Sequence, residues 1–92
     1  MINDDLKKCC LDILDCARNQ GHDVMFQDRP GIGFLFKLNS CGWVLADFRS
    51  GENEFERAAQ QETADYVHAK RMTYMVFNHA ELFNNFVNRE IA

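Results

Sequence analysis

The sequence predicts an α+β fold: an N-terminal helix, a three-stranded antiparallel meander, and two C-terminal helices packed on one face of the sheet. Three observations predict it. Residues 3–20 carry apolar side chains at spacings of three and four. Residues 22–48 switch to alternation, broken by two turns rich in Gly, Pro and Asn. Residues 52–92 contain neither Gly nor Pro and return to helical spacing.

Asn3 is placed to cap the first helix, with Asp4 and Asp5 in its first turn, where the helix dipole favours negative charge. Leu6, Cys9, Cys10, Ile13, Leu14 and Ala17 form its apolar stripe, and Gly21 is its expected left-handed stop. Residues 22–27, 32–38 and 43–48 read as strands, joined by turns at Asp28-Arg29-Pro30-Gly31 and Asn39-Ser40-Cys41-Gly42. The meander is organised around residues 33–48, which hold the only Trp and three of the eight Phe. Ile32, Phe34, Phe36 and Leu38 share one face; Gly33, Leu35 and Lys37 share the other.

Ser50 or Asn53 is the expected cap of the next helix, which opens with Glu52, Glu54 and Glu56 and turns Phe55, Ala59, Glu62, Tyr66 and Ala69 inward. Residues 72–77 fit two patterns. Their aromatic and β-branched content fits a fourth strand, whereas Met72, Met75, Val76, His79, Phe83, Phe86 and Val87 keep helical spacing. Two helices with a bend near 70–73 are the expected arrangement and a fourth strand the alternative. Asn78 and Glu81 have the spacing of a capping box for the last helix.

At 92 residues the chain is sized for one small domain spanning 1–92. The net charge of −4 and the lack of a basic stripe make direct nucleic-acid binding an unfavoured expectation. No apolar run reaches the length of a membrane span, and the acidic start is unlike a secretion signal, so a cytoplasmic setting with reduced thiols is expected.

Little in the sequence carries catalysis. Cys9, Cys10, Cys16, Cys41, His22, His68 and His79 lack the paired spacing of a zinc site, and no metal or cofactor is expected. Cys41 has no sequence neighbour that would activate a thiol. Glycines near residues 29–33 and 50–51 do not make a phosphate loop.

The order helix, three antiparallel strands, helix over residues 3–70 resembles the double-stranded RNA-binding domain. That family grips phosphates with a basic cluster where the helix after the sheet begins. Here that stretch is Ser50-Gly51-Glu52-Asn53-Glu54-Phe55-Glu56, so the resemblance extends to element order alone. In size, charge and lack of motifs the chain also resembles small inhibitor proteins of phages and mobile elements, such as anti-CRISPR and anti-restriction proteins.

The expectation is therefore a non-enzymatic interaction module that binds and blocks a larger protein or ribonucleoprotein complex, or pairs with a second copy as a homodimer. A nucleic-acid module using the sheet face and a small thiol-dependent enzyme are the alternatives. The candidate contact residues are Trp43, Leu35 and Lys37 on the second sheet face, Glu52, Glu54 and Glu56 on an acidic ridge, and Tyr74 and Phe77 as surplus apolar groups near the C-terminus.

Overall fold

A computed structural model describes residues 1–39 and 41–91. The elements run α1 (Asp4–Asn19), β1 (Val24–Arg29), β2 (Gly33–Leu38), β3 (Val44–Asp47), α2 (Glu54–Ala69), β4 (Thr73–Val76) and α3 (Ala80–Ile91). The α+β class, the N-terminal helix, the meander and the two C-terminal helices are as the sequence predicts. Among the described residues no helix is long and apolar enough to cross a membrane.

The N-terminus of α1 is capped by Asn3, whose Oδ1 accepts the Leu6 N–H at 3.0 Å. Its end is a Schellman motif: the Gly21 N–H donates to Arg18, the His22 N–H donates to Ala17, and Gly21 sits at φ 94°. The stripe is buried at Cys10, Leu14 and Ala17, while Cys9 is exposed. Burial, with Cys9 beside it, pushes the Cys10 thiol up to about 12, so Cys10 packs as a small neutral hydrophobe.

β1 pairs antiparallel with β2 from Val24↔Leu38 to Arg29↔Gly33, and β2 with β3 from Gly33↔Asp47 to Phe36↔Val44. The first turn is tighter than the sequence suggests, because Asp28 and Arg29 remain in the strand. The Ile32 N–H closes back on the Arg29 carbonyl at 3.1 Å, with Pro30 second and Gly31 third at φ 79°. Those are the residue types a type II turn requires. In the second turn Asn39 takes φ 48°, and Ser40 lies outside the described residues.

Residues 73–76 form a strand, which corrects the expectation of two helices meeting at a bend. β4 lies parallel to β3, in the order β1-β2-β3-β4. A parallel pair needs a crossover of a dozen or more residues, and α2 supplies it. The stop that ends α2 is a second Schellman motif with no glycine. The Arg71 N–H donates to His68 (2.9 Å), the Met72 N–H donates to Val67 (3.1 Å), and Arg71 takes φ 60°. Met72 also packs against the apolar cluster containing Val67, the contact that accompanies this motif. An arginine held in the left-handed region carries strain of about 1 kcal/mol. Arg71→Gly is therefore expected to raise stability by up to about 1 kcal/mol, read as a higher urea midpoint with unchanged slope.

Crossover by α2 also changes the layering. α1 and α3 cover one face of the sheet, where Phe34, Phe36, Val44, Ala46, Phe48 and Phe77 meet Leu14, Phe83 and Val87. On the opposite face α2 packs on β4, and Leu35, Leu45 and Val67 form a smaller cluster edged by Ile32, Trp43, Met72 and Tyr74. The two C-terminal helices are thus on different faces. The reason is β4: once it joins β3 in parallel, the helix linking them must cross one face while α3 returns to the other.

Between β2 and β3 the backbones approach closely at Gly33. A Cβ there would collide with the Ala46 carbonyl oxygen, so only glycine fits.

Candidate functional site

Alternation along β2 and β3 divides the central hairpin into two sets. Phe34, Phe36, Val44 and Ala46 go to the large core. Leu35, Leu45 and the half-buried Trp43 go to the α2 side. Because α2 packs on β4, it leaves the β1–β2 half of this face uncovered. The result is an open groove of about 740 Å³ between the helix and the sheet. Leu35, Leu45 and Ile32 form its floor. Ala59, Glu62, Thr63, Tyr66 and Val67 form the α2 wall, and Trp43, Met72, Gln27, Arg29, Arg49 and Lys70 complete the lining.

The side of α2 nearest the sheet is not the one its apolar spacing predicts. Phe55 is 85% exposed and Tyr66 is 63% exposed, whereas Ala64 and Val67 are buried. Polar contacts explain the rotation. The Gln60 Nε2 donates to the Arg49 carbonyl at 3.1 Å, and Thr63 accepts from Arg49 Nη2 at 3.0 Å. The predicted inner residues Ala59, Glu62 and Tyr66 therefore flank the groove.

Beside the groove lies a buried ionic network. Asp47 is fully buried. Its carboxylate accepts from the Arg49 backbone N–H at 2.9 Å, from Arg49 Nε at 3.0 and 3.1 Å, and from Arg49 Nη2 at 2.6 Å. The Tyr74 hydroxyl donates to Asp47 Oδ2 at 2.5 Å. Burial, then the Asp47 carboxylate, pushes the Tyr74 phenol well above its usual range, so Tyr74 stays a neutral donor. With these donors around it, Asp47 joins β3, β4 and, through Arg49 and Thr63, α2. This is the chemistry of a fastener, since a proton-transfer base needs room for a substrate proton.

Of the guanidinium donors of Arg49, Nε and Nη2 are committed to Asp47 and Thr63. Nη1 has no acceptor among the described residues, and the side chain lines the groove. Lys70 stands over the Tyr66 ring at 5.0 Å, and Arg29 closes the β1 end. The lining thus carries three cations and one carboxylate in a chain of net charge −4.

The structure gathers only part of the predicted contact set. Trp43 and Leu35 line the groove. Lys37 follows Leu35 by two on the same strand face, half-buried. Tyr74 is committed to Asp47. Phe77 is 2% exposed in the opposite core, against Phe48 and Phe83, so it offers nothing to a partner. Glu52 and Glu54 are exposed where α2 begins. Glu56 is held there, accepting from the Met1 ammonium and, at 3.1 Å, from the Ser50 hydroxyl. The helix cap is Asn53, whose Oδ1 accepts the Glu56 N–H at 2.9 Å. Arg29, Arg49 and Lys70 join the groove lining from outside the set the sequence predicts. A signal for one existed: Asp47 and Arg49, two apart on an extended strand, share a face.

Cys41 is half-buried. Its thiol is pushed up, first by burial and then by the Glu90 carboxylate, the opposite of what activates a nucleophile. Among the described residues no three His, Cys, Asp or Glu side chains converge as a metal site. No protein family, no curated protein and no solved structure matches the chain.

Proposed function

We propose that the protein is a non-enzymatic interaction module that docks on a larger protein or ribonucleoprotein complex through the groove between α2 and the sheet. The observation that carries this reading is one concave, mostly apolar groove in which the partly buried Trp43, Ile32 and Met72 stand open around a floor of Leu35 and Leu45, themselves 7% and 5% exposed. Rimmed apolar surfaces of this kind are where partner side chains bury. Occupying a site on a larger assembly is also how a small inhibitor of host defence, phage- or mobile-element-borne, would work. The raised Cys41 thiol gives the thiol-enzyme alternative no support. The nucleic-acid alternative draws on the cations and on the rings of Trp43 and Tyr66 in the groove lining.

The test is affinity capture from the source cells at fixed stoichiometry, repeated with groove and ridge variants. Tyr66→Ala, on an exposed side chain, and Trp43→Ala are expected to lose the captured complex, and Glu54→Ala to keep it. Capture that survives both groove variants would remove the groove from the proposal.

A further inference from the structure

Two routes lead a partner onto the β1 half of the sheet: pairing with the β1 edge, or entering the groove. The edge is obstructed. The Asn39 N–H donates to the Asp23 carbonyl, so odd-numbered residues of β1 bond β2, and Val24, Phe26 and Asp28 turn their backbone groups outward. Arg18 Nη2 donates to the Val24 carbonyl at 3.1 Å and stands over the Phe26 ring at 5.4 Å. Arg29 Nη1 donates to the Asp28 carbonyl at 3.2 Å. Two of the three outward carbonyls are thereby taken, which discourages strand addition. The groove has no such cover.

Its chemistry specifies what enters. Arg49 is fixed on one side by Asp47 and Thr63, so its orientation costs nothing further on binding. The Nη1 edge remains a planar pair of donors suited to a carboxylate oxygen. Asp47 already balances the charge of Arg49, and Lys70 and Arg29 add positive potential against Glu62. The partly buried Trp43, Ile32 and Met72, above the packed Leu35 and Leu45, make an apolar surface that suits a large aliphatic or aromatic side chain. A nucleic-acid strand is a poorer fit. Its phosphates ask for a continuous basic track, and one face of the Tyr66 ring is already covered by Lys70.

We propose that the groove takes an acidic segment of a partner protein, seating a carboxylate on the Nη1 edge of Arg49 and an apolar side chain against Trp43, Ile32 and Met72. This rests on the groove being the docking surface.

The experiment is selection of a phage-displayed library of random dodecapeptides on the folded protein, with oligothymidylate as competitor. The expected pool is enriched in Asp or Glu next to an aromatic or large aliphatic residue. Its peptides should bind Lys70→Glu ~10-fold more weakly, about the cost of reversing one favourable charge contact, and should weaken with salt. Arg49→Lys keeps a charge beside Asp47 but withdraws the planar edge and the bidentate bonds, and should weaken binding while its urea midpoint falls by less than that of Arg49→Met. A pool that is basic or neutral and indifferent to Lys70→Glu, yet lost in Trp43→Ala, overturns the acidic occupant and leaves the groove standing. A pool indifferent to both Trp43→Ala and Tyr66→Ala overturns the groove itself. Displacement of the peptides by oligothymidylate assigns the site to single-stranded nucleic acid and overturns the proposal.

Discussion

Arg49→Met is expected to destabilise the protein by about 3–5 kcal/mol, the usual cost of leaving a buried charge without its partner. Asp47 would stay in a fully buried position with only the Tyr74 hydroxyl and the residue 49 backbone N–H as donors. A chain of this length has a total stability of roughly 5–14 kcal/mol at ~0.05–0.15 kcal/mol per residue. The variant would therefore unfold at much lower urea, or fail to fold. Asp47→Leu combined with Arg49→Met should recover most of the loss, because the pair is replaced by apolar groups rather than broken. A single Arg49→Met protein within about 0.5 kcal/mol of wild type, a change typical of ordinary surface sites, would mean that water or another cation reaches Asp47.

Phe83→Ala is the second large effect, also about 3–5 kcal/mol. Phe83 is fully buried, and its ring centre lies 5.1 Å from Phe77, 5.3 Å from Phe36 and 5.8 Å from Phe34. It is the side chain through which α3 closes the large core, so its loss leaves a cavity bounded by rings that cannot all collapse inward. Phe55→Ala is the matched control. Phe55 is 85% exposed, and its removal should change the urea midpoint little. Equal losses in the two variants would contradict the layering described above.

The contrast between those phenylalanines marks where the sequence is legible. α1 and the meander follow from period and punctuation, because Gly21, Pro30 and Gly31 stand where the chain turns. β4 does not, because its start depends on Arg71 adopting a glycine's conformation, and nothing in the residue type announces that. The misjudged face of α2 follows from β4. Apolar spacing favoured Phe55 and Tyr66, but a crossover helix held down by Thr63 and Gln60 turns a partly polar side to the sheet. For the site, the sequence places Trp43 and Leu35 on the second sheet face, and both line the groove. The groove around them was not legible, because its wall and two of its three cations come from α2 and from the Asp47 network.

Gly33 to Phe48 serves two masters in alternating residues, and this bears on how the protein could vary. Large-core and groove residues sit next to one another in sequence, yet their side chains lie on opposite sides of a sheet. Substitution at Leu35, Trp43 or Leu45 could reshape what the surface accepts while Phe34, Phe36 and Val44 stay as they are. Length is a different matter. One residue inserted within β2 would exchange the two sets beyond that point, exposing phenylalanines and burying Lys37. Descendants of this chain could change partner by point substitution in these strands, but not by insertion.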